Sequence, residues 1–200
     1  CGMYKKQNKE NTVKERNMLY NLAKILVRIA MLFCFRIKIE GKENVPKEGA
    51  AILAVNHRSY FDPVMSAIAC PRSLKFMAKA ELFENPIFGG LIKCLGAFPV
   101  HRGKGDVGAV KSAFAILKSG GVMLIFPQGK RIKDGSKGKA HSGMAVIAQK
   151  MQCPIIPTWI SGEYKWMHKI TITFGKPISM EEYYGQKLNG QETQLIADNI

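Results

Sequence analysis

A histidine and an aspartate stand five positions apart in the segment NHRSYFD, residues 56–62, which directly follows the apolar run AAILAV. An imidazole can accept the proton of an attacking hydroxyl group when a carboxylate orients its ring and stabilises the imidazolium that forms. We therefore interpret His57 as a general base and Asp62 as its carboxylate partner. The spacing has a second interpretation, because Asp62 precedes Pro63, and aspartate followed by proline commonly starts a helix without any catalytic role.

Two further segments consist of an apolar stretch followed by basic residues. The segment GAFPVHRG, residues 96–103, contains Arg102, and FPQGKR, residues 126–131, ends in Lys130 and Arg131. A guanidinium group can bind a phosphate through two parallel hydrogen bonds. Both segments are candidates for phosphate binding, and the alternative for each is a solvated basic loop. Neither is a P-loop, and no dinucleotide-binding glycine motif follows a strand-like run.

The apolar pattern places these segments at the ends of strands. Runs typical of buried strands recur at residues 50–56, 122–126, 154–160 and 170–174. Helical patterns lie between them, at residues 107–118 with Asp106 as N-cap, and at residues 142–151. Strands that alternate with helices predict a single α/β domain with a largely parallel central sheet flanked by helices.

The N-terminal part is predicted to be an amphipathic helix that associates with a membrane. Residues 17–37 are apolar but interrupted by Lys24 and Arg28, which leaves them short of the roughly 20 apolar residues of a spanning helix. These two cations would extend to lipid headgroups, and the lipid-facing side would carry Leu22, Ile25, Leu26, Ile29, Leu32 and Phe33. The alternative is a helix packed on the domain's own core. Residues 1–16 lack a secretory signal and are interpreted as a tail or a vector-derived segment.

The charge and the cysteines narrow the class of protein. A formal charge of +15 predicts an anionic partner, which is a nucleic acid, a phospholipid surface or a phosphorylated substrate. The chain has no zinc finger and no aromatic pattern of an RNA-binding sheet, so a nucleic acid is not predicted. Its five scattered cysteines indicate neither a disulfide framework nor a zinc site, and they favour a reducing compartment. Cys70, Cys94 and Cys153 are interpreted as inert core residues rather than nucleophiles.

An ordered set of four motifs identifies a protein family more specifically than any single motif does. The three segments above are followed by CPIIPTW, residues 153–159. This ordered set, within residues 36–177, closely resembles the glycerophospholipid acyltransferase family, in particular its small bacterial 1-acyl-glycerol-3-phosphate acyltransferases. The resemblance implies that residues 38–200 form an acyltransferase domain, which follows the predicted membrane-associating helix of residues 17–37.

The resemblance also implies roles for individual residues, and it implies no metal. The implied site consists of the catalytic charge-relay pair His57 and Asp62, the phosphate-binding residues Arg102, Lys130 and Arg131, and the supporting residues Asn56, Gln128, Gly129 and Pro157, the last as a wall of the substrate groove. The chain departs from the family where FPQGKR replaces the usual FPEGTR, so that Gln128 and Lys130 make the site more positive. It also reads Ala140-His141 where relatives often carry Phe-Lys.

The implied reaction transfers a fatty acyl group from acyl-CoA or acyl-acyl carrier protein to the sn-2 hydroxyl of 1-acyl-sn-glycerol-3-phosphate and forms phosphatidic acid. The implied partners are a lysophospholipid, the acyl carrier and an anionic membrane surface, with no nucleic acid and no cofactor besides the acyl donor. The expected location is the cytoplasmic face of the cell membrane, as a peripheral or monotopic protein. The alternatives are an acyltransferase for another lysolipid and a non-catalytic lipid-binding protein.

Overall fold

A computed structural model of the chain describes residues 18, 20–100, 107–132 and 140–199. Helix α1 occupies residues 20–34. The strands are β1 (Arg36–Glu40), β2 (Ala51–Val55), β3 (Leu74–Lys79), β4 (Ala97–Val100), β5 (Val122–Ile125), β6 (Ile155–Ser161) and β7 (Lys169–Phe174). The other helices are α2 (Asp62–Ala69), α3 (Pro86–Cys94), α4 (Val107–Lys118), α5 (Gly143–Met151) and α6 (Gly190–Asp198). The predicted tail of residues 1–16, the predicted N-cap Asp106 and the candidate Arg102 lie outside the described residues.

Within the described residues, seven strands form one sheet in the order β1-β7-β6-β2-β5-β3-β4. Neighbouring strands are parallel except for β6 and β7, which are antiparallel. The predicted α/β domain with a largely parallel sheet is therefore confirmed. The four predicted strands correspond to β2, β5, β6 and β7. Strands β1 and β3 were not singled out because charged side chains interrupt their apolar pattern.

Helices cover both faces of the sheet. The core on one face joins β2 to α1, α2 and α3, and the core on the other face joins it to α4, α5 and α6. Side chains alternate along β2, so Leu53 and Val55 enter the first core, whereas Ile52 and Ala54 enter the second. All five residues of β2 are buried, as expected for a parallel strand covered on both faces. Strand β2 thus carries no polar side chain, and the polar residues Asn56 and His57 follow directly at its end.

Two of the helices lie close to their predicted positions. Helix α4 has the predicted bounds, and α5 begins one residue after the predicted start, with Ser142 as its N-cap residue. Helix α6 begins with a capping box, in which the Asn189 side chain accepts from the backbone N–H of Glu192 and the Glu192 carboxylate accepts from the backbone N–H of Asn189. This reciprocal pair satisfies two amides that have no partner inside the helix.

Helix α1 packs alongside α2 and runs antiparallel to it. Near the start of α1, Lys24 Nζ donates to the carbonyl of Cys70, which is the C-cap residue of α2, and at its far end the Phe35 ring contacts Phe61, the N-cap residue of α2. Tyr20 and Val27 are buried against the domain. No helix in the described part of the chain is long and apolar enough to cross a membrane.

The exposed side chains of α1 are the ones that the sequence predicts, but the environment of Lys24 differs from the prediction. The six apolar side chains predicted to face lipid are all exposed, namely Leu22, Ile25, Leu26, Ile29, Leu32 and Phe33. The prediction that Lys24 extends to headgroups was wrong, because its ammonium binds the carbonyl of Cys70 on the domain side. Burial lowers the pKa of Lys24, which is the opposite of what an ammonium group among anionic headgroups would show.

Candidate active site

His57 lies at the carboxyl end of β2, two residues after the last residue of the strand, Val55. Its imidazole stacks on the ring of Phe126, which follows β5, with ring centroids 3.8 Å apart and an angle of 17° between the planes. The neighbouring strands β2 and β5 are parallel, so both end at the same edge of the sheet. The side chain of His57 is 12% exposed, so most of it is covered by the protein and a small part reaches the surface.

A hydrogen-bonded pair joins His57 to Asp62. The distance from His57 Nδ1 to Asp62 Oδ2 is 3.0 Å. A carboxylate can only accept at this position, so Nδ1 carries the proton and Nε2 is the nitrogen that can accept another. The pair therefore has the geometry of a general base whose ring is oriented by a carboxylate.

The carboxylate of Asp62 is buried, with 1% of the side chain exposed, and four donors surround it. Oδ2 accepts from the backbone N–H groups of Arg58 and Ser59, both at 2.6 Å, in addition to its contact with His57. Oδ1 accepts from the hydroxyl of Tyr164 at 2.7 Å. A buried carboxylate is tolerated only where hydrogen bonds replace its water, and these donors meet that requirement.

Asp62 does not cap helix α2. The helix begins at Asp62 itself, with Phe61 as its N-cap residue and no side-chain capping hydrogen bond. The Asp62 carboxylate turns back towards the amides of Arg58 and Ser59, which precede the helix. The helix-cap interpretation of this residue was therefore wrong, and its side chain is directed to the segment that carries His57.

Asn56 fastens the end of β2 to the neighbouring strand β6. Its side-chain oxygen accepts from the backbone N–H of Ile160 at 2.7 Å, and its side-chain amide donates to the Ile160 carbonyl at 3.0 Å. These two hydrogen bonds resemble those between paired backbone residues of neighbouring strands. They continue the β2–β6 pairing beyond Val55. Asn56 thus holds the backbone immediately before His57.

The segment that follows β5 closes over the same edge of the sheet. The backbone N–H of Gly129 donates to the Phe126 carbonyl at 2.9 Å, and the N–H of Ile132 donates to the His57 carbonyl at 2.9 Å. Gly129 has φ 65°, and a Cβ there would lie 3.2 Å from the His141 ring, so the turn favours glycine. This turn brings the residues after Phe126 next to the histidine.

The polar side chains of this segment have different surroundings. Lys130 is exposed, whereas the guanidinium carbon of Arg131 lies 3.6 Å from the centroid of the Tyr60 ring, a cation–π contact. Gln128 Oε1 is buried without a hydrogen-bond partner among the described residues. A guanidinium that stacks on an aromatic ring can still donate from its N–H groups, because they lie in the guanidinium plane.

The sequence matches the family model of the acyltransferases over residues 36–161, a range that contains His57 and Asp62. This chain belongs to the acyltransferase family. The enzyme is 30% identical over 208 residues to the 1-acyl-sn-glycerol-3-phosphate acyltransferase of Streptococcus pneumoniae, which covers 99% of this chain and 76% of that protein. Over 153 residues it is 29% identical to the protein of the same name from Bacillus subtilis, which covers 74% of this chain and 76% of the relative.

The fold of this acyltransferase is shared with a solved structure. The crystal structure of the 1-acyl-sn-glycerophosphate acyltransferase from Thermotoga maritima superposes with a TM-score of 0.71 at 22% sequence identity, over 93% of this chain and 78% of that one. The predicted family is thus confirmed, and the protein is an O-acyltransferase, an enzyme that joins an acyl group to a hydroxyl oxygen.

The structure places several of the predicted site residues of the acyltransferase at one edge of the sheet. His57, Asp62 and the turn at Gly129 share one edge of the sheet. Pro157 lies inside β6, level with Ala54, and its carbonyl accepts from the N–H of Gly175 at 2.7 Å. Its assignment to the wall of a substrate groove stays a prediction, as does phosphate binding by Arg102.

Tyr164 is a member of the site that the sequence did not reveal. It belongs to the segment between β6 and β7 and stands 102 positions after Asp62. Burial raises the pKa of Tyr164, and the adjacent Asp62 carboxylate raises it further, so the hydroxyl remains a donor. No periodic pattern or motif marks this tyrosine. In the described part of the chain, no group of three or more metal-binding side chains occurs.

Proposed function

We propose that this acyltransferase transfers a fatty acyl group from a thioester carrier, acyl-CoA or acyl-acyl carrier protein, to the sn-2 hydroxyl of 1-acyl-sn-glycerol-3-phosphate. The main supporting observation is the His57–Asp62 pair at the end of the central strand, in which the contact through Nδ1 leaves Nε2 as the nitrogen that can accept a proton. The names of the relatives from Streptococcus pneumoniae and Bacillus subtilis support the choice of acceptor.

In the proposed mechanism, His57 Nε2 takes the proton of the acceptor's hydroxyl as its oxygen attacks the carbonyl carbon of the thioester. The tetrahedral intermediate collapses, the carbon–sulfur bond breaks, and the thiolate leaves with the electron pair. The imidazolium then returns its proton to the thiolate, so that the products are an ester and a thiol. Asp62 stabilises the imidazolium between these two steps. The steps need no metal, no cofactor and no covalent enzyme intermediate.

The basic residues of the turn after β5 are proposed to bind the acceptor's phosphate. Arg131 contributes a guanidinium that Tyr60 already orients, and Lys130 adds an exposed positive charge next to it. Arg102 is proposed to contribute to the same binding site. A preorganised guanidinium loses less freedom on binding than a mobile one, which favours recognition of a doubly charged headgroup.

Arg131→Lys is expected to raise KM for the lysophosphatidic acid about tenfold, with little change in kcat. Lysine keeps the charge but loses the planar pair of donors and the stack on Tyr60. Steady-state kinetics with a fixed, saturating acyl donor measures the effect, and loss of uniform binding appears in KM alone. Arg36→Lys, an exposed position on β1, is the matched control. An unchanged KM would remove Arg131 from the acceptor site.

An acyl-transfer assay with the purified enzyme tests the proposed reaction. Two donors, acyl-CoA and acyl-acyl carrier protein, are crossed with 1-acyl-sn-glycerol-3-phosphate, glycerol-3-phosphate, lysophosphatidylglycerol and a lyso-ornithine lipid. Phosphatidic acid should form in a one-to-one ratio with released thiol, and only when the first acceptor is present. A higher kcat/KM with another of these acceptors would show that 1-acyl-sn-glycerol-3-phosphate is not the preferred acceptor. Thiol release without any acceptor would overturn the transferase mechanism for this chain.

We also propose that α1 rests on an anionic membrane at the cytoplasmic face, where the lipid acceptor is found. Its six exposed apolar side chains form one continuous face, because their spacing follows the helical period. Transfer of such side chains from water into the lipid boundary is favourable, and the formal charge of +15 adds attraction to anionic headgroups. The partner proposed for the positive charge is thus a membrane rather than a nucleic acid.

The double variant Leu26→Glu and Phe33→Glu is expected to weaken binding to vesicles containing phosphatidylglycerol about tenfold or more. Both side chains are exposed in the folded protein, with 59% and 70% of their surface accessible, so the change spares the core. Co-sedimentation with vesicles measures the partition. The matched control is Leu195→Glu on α6, which is 64% exposed. If the double variant binds as well as this control, α1 is not the contact.

A further inference from the structure

Tyr164 contacts the oxygen of Asp62 that does not face His57. Its hydroxyl donates to Oδ1 at 2.7 Å, whereas Oδ2 lies between His57 Nδ1 and the backbone amides of Arg58 and Ser59. A carboxylate has two equivalent oxygens, and rotation about its last side-chain bond exchanges or tilts them. A donor on Oδ1 opposes that rotation and keeps the plane of the carboxylate aligned with the imidazole.

The aromatic ring of Tyr164 is held by two phenylalanines. Phe35 packs edge-on against it, with ring centroids 5.7 Å apart and planes at 84°, and Phe61 lies at 5.6 Å with a tilt of 34°. Phe35 and Phe61 also contact each other at 6.2 Å. Edge-to-face aromatic pairs of this kind restrict the orientation of the ring, and therefore of its hydroxyl.

The backbone near Tyr164 is tied to the end of α1. The N–H of Met167 donates to the Cys34 carbonyl at 2.7 Å, and the N–H of Arg36 donates to the His168 carbonyl at 3.0 Å. Phe35, which packs on Tyr164, lies between Cys34 and Arg36. The residue that contacts Asp62 is thus anchored at the point where α1 passes into β1.

We propose that Tyr164 is a positioning residue for acyl transfer, and that Phe35 at the end of α1 holds it in place. Tyr164 acts through Asp62, which in turn orients His57, and it does not contact the substrate. The proposal rests on the proposed function of the His57–Asp62 pair. It extends that function by connecting the end of α1 to the carboxylate of Asp62 through the side chains of Phe35 and Tyr164.

Tyr164→Phe is expected to lower kcat about tenfold while both substrate KM values stay within about twofold, because the lost hydrogen bond is to a charged group that acts in the transition state. The ring and its packing remain, so a purely structural role of Tyr164 predicts unchanged kcat. The matched control is Tyr183→Phe, at a tyrosine that packs on the opposite face of the sheet. Thermal unfolding of both variants reports any loss of stability. A kcat equal to that of Tyr183→Phe would overturn the proposal.

A second variant tests the link to α1. Phe35→Leu keeps an apolar side chain but removes the edge-on contact with the Tyr164 ring, so kcat should fall about threefold. In the Tyr164→Phe background the same change should have no further effect on kcat, because the hydroxyl that it displaces is already absent. Effects that multiply would show that Phe35 acts independently of Tyr164, against the proposal.

These outcomes are distinct from a failure of the proposed function. If His57→Ala retains turnover, the base assignment is wrong, and Tyr164 has no catalytic pair to position. If His57→Ala is inactive and Tyr164→Phe has the kcat of the wild-type enzyme, the proposed function stands and only the positioning role is overturned.

Discussion

His57→Ala is expected to lower kcat/KM for acyl transfer about 10²- to 10⁴-fold, the range that a positioned general base contributes. The acceptor hydroxyl has a pKa far above neutrality, so it attacks a thioester slowly unless a base removes its proton. No other histidine of the described residues is joined to a buried carboxylate in this way: His168 lies at the surface, 4.0 Å from Glu163. The loss should appear in kcat with both donors, because the proton transfer is common to both.

The fold of the His57→Ala variant should be intact. The side chain lies at the edge of the sheet, outside the two hydrophobic cores, and its main contact besides Asp62 is the stack on Phe126. Binding to anionic vesicles and the thermal midpoint should remain close to those of the wild-type enzyme. The matched control is His168→Ala, which should retain full turnover. Turnover by His57→Ala at the level of this control would exclude His57 as the base.

Asp62→Asn is expected to lower kcat by a similar factor, about 10²- to 10⁴-fold, comparable with removal of the carboxylate from a catalytic triad. The amide oxygen of asparagine can still accept from the backbone amides of Arg58 and Ser59, and its NH₂ group can donate to the Tyr164 oxygen, since a phenol both donates and accepts. The segment therefore keeps its shape, but the imidazolium loses its neighbouring negative charge. The variant separates the charge of Asp62 from its hydrogen bonding.

Stability measurements complete the Asp62→Asn experiment. Replacement of hydrogen bonds to a buried charge by weaker neutral ones should lower the free energy of unfolding by about 1–3 kcal/mol. Asp198→Asn, at the exposed end of α6, is the matched control, and it should change neither kcat nor stability. If Asp62→Asn loses stability but keeps kcat, the carboxylate has a structural role only.

Much of the fold follows from local patterns. The run AAILAV is uniformly apolar because β2 is buried on both faces of the sheet, and uniform burial is the signature of a parallel strand between two helical layers. Helix α4 was predicted with its observed bounds because apolar residues recur at helical spacing before the glycines at its end. Strands β1 and β3 escaped prediction because their partly exposed positions carry lysines and an arginine.

The two faces of α1 show the limit of such patterns. Helical periodicity identified the six side chains that are exposed. The same periodicity led to the prediction that Lys24 contacts lipid headgroups. An amphipathic pattern identifies a residue as polar but does not identify the group that it contacts. In the folded chain the carbonyl at the end of α2 is the partner of that ammonium. A contact between residues 46 positions apart depends on how two helices pack, and a single helix contains no information about it.

From the sequence alone, His57 and Asp62 could be predicted as a catalytic pair at the end of a buried strand, because one short turn and a helix start separate them, but a helix cap at Asp62 remained an alternative. The sequence also determined the order of the motifs, and parallel strands necessarily bring their carboxyl ends to one edge of the sheet. The groups that surround the pair could be identified only in the folded protein: the Phe126 ring, the two hydrogen bonds between Asn56 and Ile160, and the hydroxyl of Tyr164. These contacts join segments as many as 104 residues apart, so they arise from the packing of the whole sheet and not from any local spacing.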